Sequence, residues 1–542
     1  MKEYLEHVFT VVANVLEYLK GEEINFSIPN NPAHGDLSVN IAMLLSKKLK
    51  KSPRLIAEEI ISNLQYDSTK IEKVDIAGPG FINFYFTKEY IGGLIKDILT
   101  NGYKYGKSLK YEGKKANVEF VSANPTGPLT VGHGRNAIVG DTVATLLEWI
   151  GYDVDREFYF NNAGRQMRVL GDSVRLRYLQ LLGDEIVFPE EHYQGEYIKD
   201  IANNLFKEYG DKLRDESPEG KFKQRAESEI FTDIKNSLSR LGIEFKIFFN
   251  ENTLYENGEI DKVLNRFKEK NLSYEKDGAV WLHLTGLGGE QDKVIVKSTG
   301  EPTYRLPDIA YHLSKFERGY DLMVDVFGSD HNATYPDVLA GIKALGNDSS
   351  KVKVLIYQFV TIMEKGEIVK MSTRKANFII LDELIDEVGS DVVRYFFIMR
   401  NMSSHLNFDL DLAKKQSDEN PVFYLQYAHA RICSILRMIE EQQLAFSTKD
   451  LNLLTTDVEQ KLIKKLHEFK EEVLLSAELF EPHRIAFYLE EVAALFHKFY
   501  TECRIIGSEK KLAEARIALI IAVRTVIKNG LTILGLSAPE KM

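Results

Sequence analysis

The chain has 542 residues, 44% hydrophobic and 27% charged, with a formal net charge of −11 and a pI near 5.7. That length allows several domains with large cores, in the ordinary composition of soluble globular protein. Two cysteines, Cys433 and Cys503, exclude a disulfide framework and a zinc–thiolate cluster, and a reducing cytoplasm is the simple expectation. The acidic balance argues mildly against a nucleic-acid partner but does not decide it, because a large acidic protein can carry local basic faces. The start of the chain lacks a basic-then-apolar signal pattern. The most apolar run, Ile517 to Val523, is bounded by Arg516 and Arg524 and is too short to span a bilayer, so it reads as a buried helix.

Residues 1–110 read as a separate α+β unit. Leu5, Val8, Val12, Val15, Leu16 and Leu19 form a helical stripe, and Asn30 to Leu37 is rich in turn residues. Ile41 to Leu64 is helical in pattern with a break at Lys51 to Pro53, and Val74 to Phe86 alternates as strand around Gly78-Pro79-Gly80. His34 and Asp36 lie in turn chemistry with no evident partner. Gly102 to Ser108 has the outline of a phosphate loop, but it is one residue short and follows a helical rather than a strand pattern. It reads as the exit from the first unit.

Next, Val118, Phe120 and Val121 make an apolar β run, and Asn124 to Pro128 is a turn cluster. A helix begins near Gly132, carries Ala137, Ile138, Leu146, Leu147 and Ile150, and stops at Gly151 as a C′ glycine. Val154 to Phe160 is a second β run, completing the strand–helix–strand unit of a parallel nucleotide-binding sheet. Charged, helix-like segments over about 185–280 break that rhythm and predict an insertion between two sheet halves. Val324 to Asp330 is a further β run, then Leu355 to Ile362, a turn at Glu364 to Gly366 and a basic stretch at 370–375. Ile380 to Arg400 is helical in pattern, and residues 415–542 predict an α-bundle, with Leu462, Phe469, Leu474, Leu475, Ile485, Leu489, Ala493 and Phe496 at helical spacing.

The Gly132-His133 pair falls where unpaired N–H groups and the positive end of a helix dipole favour phosphate. Gly132 leaves room for a nucleotide, and His133 can donate a hydrogen bond to charge developing on an α-phosphate. Alone, the pair is better read as a turn glycine before a helix-start histidine. Glu251 follows an apolar run, and Tyr304 and Asp308 lie four apart at a helix start marked by Pro307. Each acid alone is more often a cap or a surface charge. Lys370, Arg374 and Lys375 read singly as an exposed basic loop.

The string Pro125-Thr126-Gly127-Pro128-Leu129-Thr130-Val131-Gly132-His133-Gly134-Arg135-Asn136-Ala137 resembles the His-x-Gly-His signature of class I aminoacyl-tRNA synthetases, and in detail that of the arginyl-tRNA synthetases. Thr130 stands at the first signature histidine. Its hydroxyl can hydrogen-bond a phosphate but cannot carry positive charge. Lys370-Met371-Ser372-Thr373-Arg374-Lys375 resembles the family's second, Lys-Met-Ser-Lys-Ser loop, whose cations sit near the β- and γ-phosphates. Thr373 replaces the second lysine, and Gly127 stands where many relatives place a compensating one. Arg374 and Lys375 are the remaining candidates.

The resemblance further implies that the loop Ala123, Asn124, Pro125, Thr126, Gly127, Pro128, Leu129 and Val131 shapes the active site, and that Asn124, Glu251, Tyr304, Asp308 and His331 bind arginine. Thr130, Gly132, His133, Lys370, Ser372, Arg374 and Lys375 fall to catalysis. Segments around His34 and Gly78 resemble the family's N-terminal tRNA-contacting domain, and Tyr193 to Ile198 also resembles the family. Tyr424, Tyr427, Arg431 and the terminal Met542 match its tRNA-binding, anticodon end.

The implied architecture is multidomain α/β. It has an N-terminal α+β accessory domain (1–110), a class I Rossmann-type parallel-sheet catalytic domain (112–400) and a C-terminal α-helical bundle (415–542). The implied activity is ATP-dependent ligation of L-arginine to its tRNA, with ATP entering as its Mg²⁺ complex, no tightly bound cofactor or resident metal, and no membrane. A cytoplasmic monomer is expected. The rivals are a tRNA-binding paralogue without activation chemistry, a synthetase for another amino acid, and a small-molecule adenylyltransferase. The carboxylate pair argues against an apolar substrate.

Overall fold

A computed structural model describes every residue except 30, 288, 330, 331, 333 and 370–378. The N-terminal unit comprises α1 (Lys2–Ala13), β1 (Phe26–Ser27), β2 (Leu37–Val39), α2 (Ile41–Leu49), α3 (Pro53–Asn63), β3 (Ile71–Ala77), β4 (Phe81–Phe86) and α4 (Lys88–Asn101). Its antiparallel sheet runs β1-β2-β4-β3. The predicted break between α2 and α3 is present, with Ser52 capping α3 and Pro53 at its first position. Val15 lies beyond the end of α1 and is 58% exposed, so the helical stripe stops short of it. Asp36 does have partners: its carboxylate accepts the Phe86 N–H and is paired with Lys464 of the helical bundle. Chain neighbours gave no hint of a contact made across 428 residues.

The central unit contains β5 (Lys115–Glu119), α5 (Val131–Trp149), β6 (Asp153–Phe160), α6 (Gly164–Leu181), α7 (Glu196–Tyr209), α8 (Lys223–Arg240) and β7 (Ile247–Asn250). There follow α9 (Asn252–Glu256), α10 (Glu259–Glu269), β8 (Ser273–Lys276), β9 (Ala279–Leu282), β10 (Lys293–Val296), α11 (Arg305–Glu317), β11 (Leu322–Gly328), α12 (Tyr335–Ala344) and β12 (Val352–Tyr357). The sheet β12-β11-β5-β6-β7 is wholly parallel. Its order reverses between β5 and β11, where a doubly wound sheet opens a ligand crevice at the strands' carboxyl ends. The stretch 185–280 is not one insertion. β7 lies within it as an edge strand of this sheet, and a separate antiparallel sheet, β10-β9-β8, spans its end and continues to 296.

β5 stops at Glu119 rather than running to Val121, because Val121 and Ser122 take left-handed backbone angles (φ +65° and +46°). Gly140 of α5 lies against Phe120, and an added Cβ would stand 2.2 Å from that ring. The helix therefore rests directly on the end of the strand that feeds it.

The chain continues with β13 (Val360–Glu364), β14 (Glu367–Ile368), α13 (Leu381–Val388), α14 (Ser390–Ile398), β15 (Leu406–Asp409) and α15 (Leu410–Ala413). The bundle is α16 (Pro421–Glu441), α17 (Asp457–His467), α18 (Phe469–Glu478), α19 (His483–Glu502) and α20 (Lys510–Ile533). One continuous apolar core runs through the N-terminal unit, the parallel sheet and the bundle, and a second underlies α10, α11 and α12. Among the described residues no helix is long and apolar enough to cross a membrane.

Candidate active site

The loop Ala123–Thr130 joins β5 to α5 at the switch point, and each conspicuous residue in it has a physical task. Asn136 accepts the Val121 N–H (2.6 Å) and donates to the Val326 carbonyl (2.8 Å), pinning the ends of β5 and β11 to one side chain. Asn124 accepts the Asn161 N–H (2.9 Å) and donates to Gln166 Oε1 (2.9 Å), which ties the loop to the end of β6. Tyr197, near the start of α7, donates to the Thr126 carbonyl (2.8 Å). Its hydroxyl would lie 2.9 Å from any Cβ at position 127, so Gly127 is bare because Tyr197 covers it. Pro125, Pro128 and the buried Leu129 complete the turn.

Thr130 is the N-cap of α5 and Val131 its first residue. Gly132 meets only the Thr130 hydroxyl within 4 Å of an added Cβ, which leaves the helix start open to a phosphate. The Thr130 N–H donates to His133 Nδ1 (3.1 Å). Arg135 is fully buried and donates to the Gln358 (2.6 Å), Ser404 (3.1 Å) and Asn401 (3.3 Å) carbonyls, fixing the approach to β13.

The cationic stretch Lys370, Ser372, Arg374 and Lys375, like His331, lies outside the described residues. Its flanks are placed. The Val369 N–H donates to the Ile362 carbonyl (2.9 Å), closing the β13–β14 hairpin. On the far side Leu381 N–H donates to the Leu129 carbonyl (2.8 Å) and Val131 N–H to the Ile379 carbonyl (3.4 Å), so Thr130 and Ile380 form an antiparallel bridge. Ile379 to Leu381 therefore pair through their backbone with the signature loop itself.

Glu251 caps α9 just after β7, and Asp308 lies in the first turn of α11. The Glu251 charge reaches Asp308, and the Tyr255 hydroxyl donates to Glu251 Oε1 (3.5 Å). Burial, reinforced by Glu119, Glu251 and Asp325 against the pull of His312, pushes the Asp308 carboxyl up to about 7. Tyr304 is the N-cap of α11 and 87% exposed, so it stands at the rim on the same face as Asp308.

Beneath this pocket lies a row of carboxylates that the sequence reading missed. Asp325, Glu119 and Glu157 occupy matching register positions on β11, β5 and β6. Lys315 donates to Glu119 and Asp325 (both 2.7 Å), and Arg318 grips Glu157 (2.8 and 2.9 Å). His312 Nδ1 faces the Asp308 carbonyl (2.7 Å) and Nε2 faces the Asp325 carboxylate (2.8 Å). Both partners are acceptors only, so both ring nitrogens donate and His312 is an imidazolium. Burial opposes that charge, but Asp325 raises the histidine above its ordinary range. Burial likewise opposes a charged Asp325, yet Lys315 and His312 hold it well below the usual carboxylate range. A visible signal existed: an acid inside each of the apolar strand runs Val118–Phe120 and Val324–Val326.

The bundle residues form a separate surface. Tyr427 is 39% exposed and stacks with Phe423 (6.1 Å between centroids, 8°). The Arg431 guanidinium lies 4.2 Å from the Tyr500 ring centroid and 5.5 Å from that of Tyr427. Tyr424 is half-buried against His497. The C-terminal segment is strapped along α16, where His429 Nδ1 donates to the Pro539 carbonyl (2.9 Å), and it leaves Met542 exposed.

The model of the class I (R) tRNA synthetase catalytic domain matches residues 94–403. The chain belongs to the arginyl-tRNA synthetase family. The family's N-terminal domain model matches residues 3–86, and the DALR anticodon-binding domain model matches 425–542. An arginine–tRNA ligase of Salinibacter ruber is 49% identical over the whole of both chains, and one of Chlorobium phaeovibrioides is 50% identical over 96% of each. The Thermus thermophilus arginyl-tRNA synthetase structure is 21% identical, covers 99% of this chain and 100% of its own, and superposes with a TM-score of 0.78. That likeness carries the arginyl-tRNA synthetase fold. The parallel sheet, the N-terminal unit and the helical bundle are thus those of the family.

Proposed function

We propose that the chain joins L-arginine to its tRNA in two steps. In the first, the arginine carboxylate attacks the α-phosphate of ATP, supplied as its Mg²⁺ complex, and diphosphate leaves. In the second, the 2′-hydroxyl of the terminal tRNA ribose takes the arginyl group and AMP leaves. The enzyme positions and stabilises charge, and no covalent nucleophile enters. Glu251 and Asp308 receive the guanidinium, Tyr304 closes over it from the rim, and Asn124 meets the α-amino side. His331 joins the arginine-binding set. His133 donates to the α-phosphate over the open Gly132, while Lys370, Ser372, Arg374 and Lys375 attend the leaving diphosphate. Tyr424, Tyr427, Arg431 and Met542 meet the tRNA. A cytoplasmic monomer suits this chemistry.

The reading is supported by a buried Asp308 carboxyl within reach of the Glu251 charge, on the same sheet whose switch point carries the open helix start of α5. A pure tRNA-binding protein has no use for it. The test is ATP–diphosphate exchange with each standard amino acid, with and without total tRNA. Exchange with arginine, rising when tRNA is added, supports the proposal. No exchange with any amino acid, in a protein that still binds tRNA, leaves a non-catalytic relative. His133→Ala is expected to remove about 2.7–4 kcal/mol of transition-state stabilisation, the size of one lost oxyanion donor. Near-normal turnover would take His133 out of the mechanism.

A further inference from the structure

The Thr130 hydroxyl turns back onto the first turn of its own helix. Its Oγ lies 3.2 Å from His133 Nδ1, the nitrogen that also receives the Thr130 N–H at 3.1 Å. An amide N–H can only donate, so Nδ1 carries no proton. The hydroxyl then meets the same nitrogen as a second donor. The neutral ring has one proton, and it sits on Nε2. Burial favours the same state by pushing the imidazolium below its ordinary pKa, and it is the sole cause of that shift among the described residues. The bridge from Thr130 to Ile380 fixes the backbone beneath the hydroxyl, so it cannot drift from the ring.

We propose that Thr130 is a positioning residue. It holds His133 in one orientation, as the neutral tautomer that presents Nε2–H to the α-phosphate, and it does not itself touch the nucleotide. This rests on the reading of the pocket as the site of adenylate formation. It gives the threonine a task that does not depend on the positive charge a histidine would bring, because its work is done through the second histidine.

The test is a double-mutant cycle in ATP–diphosphate exchange with arginine and tRNA. Thr130→Val keeps the backbone N–H and the side-chain shape but removes the hydroxyl. It should lower kcat by about two- to tenfold, the worth of one hydrogen bond, with KM for ATP unchanged. Thr130→Ser should restore the rate. In a His133→Gln background, Thr130→Val should change nothing further, because the group it acts through is gone. A several-fold rise in KM for ATP in both backgrounds would mean that the hydroxyl binds phosphate directly, and would overturn the proposal. No effect of Thr130→Val in either background would also overturn it.

Melting temperature and tRNA affinity control for loss of fold. Should the valine variant not fold, nitrogen NMR of the ¹⁵N-histidine-labelled parent decides, with His133→Gln assigning the signal. Nδ1 must resonate as the unprotonated nitrogen and Nε2 as the protonated one, and the reverse pattern refutes the tautomer. Failure of the functional reading is separate, since the unaltered chain would then show no exchange at all.

Discussion

Two histidines of this site are held in opposite states by the acceptors and donors around them. His133 receives an N–H at Nδ1 and is neutral, whereas His312 faces two acceptors and is charged. The same logic fixes the behaviour of Asp308. Its carboxyl sits at about 7, well above the 3.8 of a free aspartate. A raised carboxyl pKa means the native state binds that proton more tightly than the unfolded chain. The stability it contributes is complete below about pH 4 and is lost as pH rises through about 7. Above pH 7 the pocket holds a costly buried carboxylate that a guanidinium relieves. Asp308→Asn is therefore expected to be more stable than the parent at pH 8 and nearly equal to it at pH 4, by urea denaturation. It should also raise KM for arginine by about 10- to 100-fold, the loss of a charge-assisted contact. In the parent, KM for arginine should climb as pH falls from 8 to 6. A variant less stable at pH 8 would contradict this account of the pocket.

At the scale of elements, the pocket depends on how α11 is fastened to the sheet. Lys315 is fully buried and reaches two acids on two strands, so it fixes both the height and the rotation of the helix that carries Asp308. Lys315→Met leaves Glu119 and Asp325 facing each other in the interior without a shared cation. The expected loss is about 3–5 kcal/mol, the cost of breaking a buried pair from one side, measured by urea denaturation. Its arginine KM should rise as well, because Asp308 moves with α11. Elements of this kind were only partly legible. The β5–α5–β6 unit was readable because apolar runs, a turn cluster and the closing Gly151 all agree locally. The end of β5 was not, since nothing in Val121-Ser122 asks for left-handed angles. Asn136, 15 residues on, draws the Val121 N–H into place. Likewise β7 hid among charged helices because a four-residue strand has too few positions to show a period. Glu251 and Asp308 were found as motif residues, but the acidic row beneath them appears only when three strands are laid side by side.

At the scale of the molecule, Arg394 joins parts of the chain that have no sequence proximity. It is 2% exposed in α14 and donates to Asp141 of α5 (2.7 Å), to the Leu241 carbonyl after α8 (2.8 Å) and to the Leu534 carbonyl after α20 (3.0 Å). One guanidinium thus ties the helix that carries His133, the end of the β6–β7 crossover and the end of the last bundle helix. Gly535 has to be glycine here, with φ +70° and an added Cβ only 2.2 Å from the Arg394 guanidinium. Asp141 is also bound by Arg156 (2.9 Å), so losing Arg394 does not leave it unpaired, whereas both carbonyls lose a buried charged donor. Arg394→Met is therefore expected to uncouple the bundle from the catalytic unit more than it disturbs the sheet. Calorimetry should show the single main transition of the parent splitting, with the bundle melting first. Amide exchange in 510–533 should quicken before that in 131–149. If both helices instead lose protection together, the continuous apolar core, and not Arg394, makes the molecule one cooperative unit.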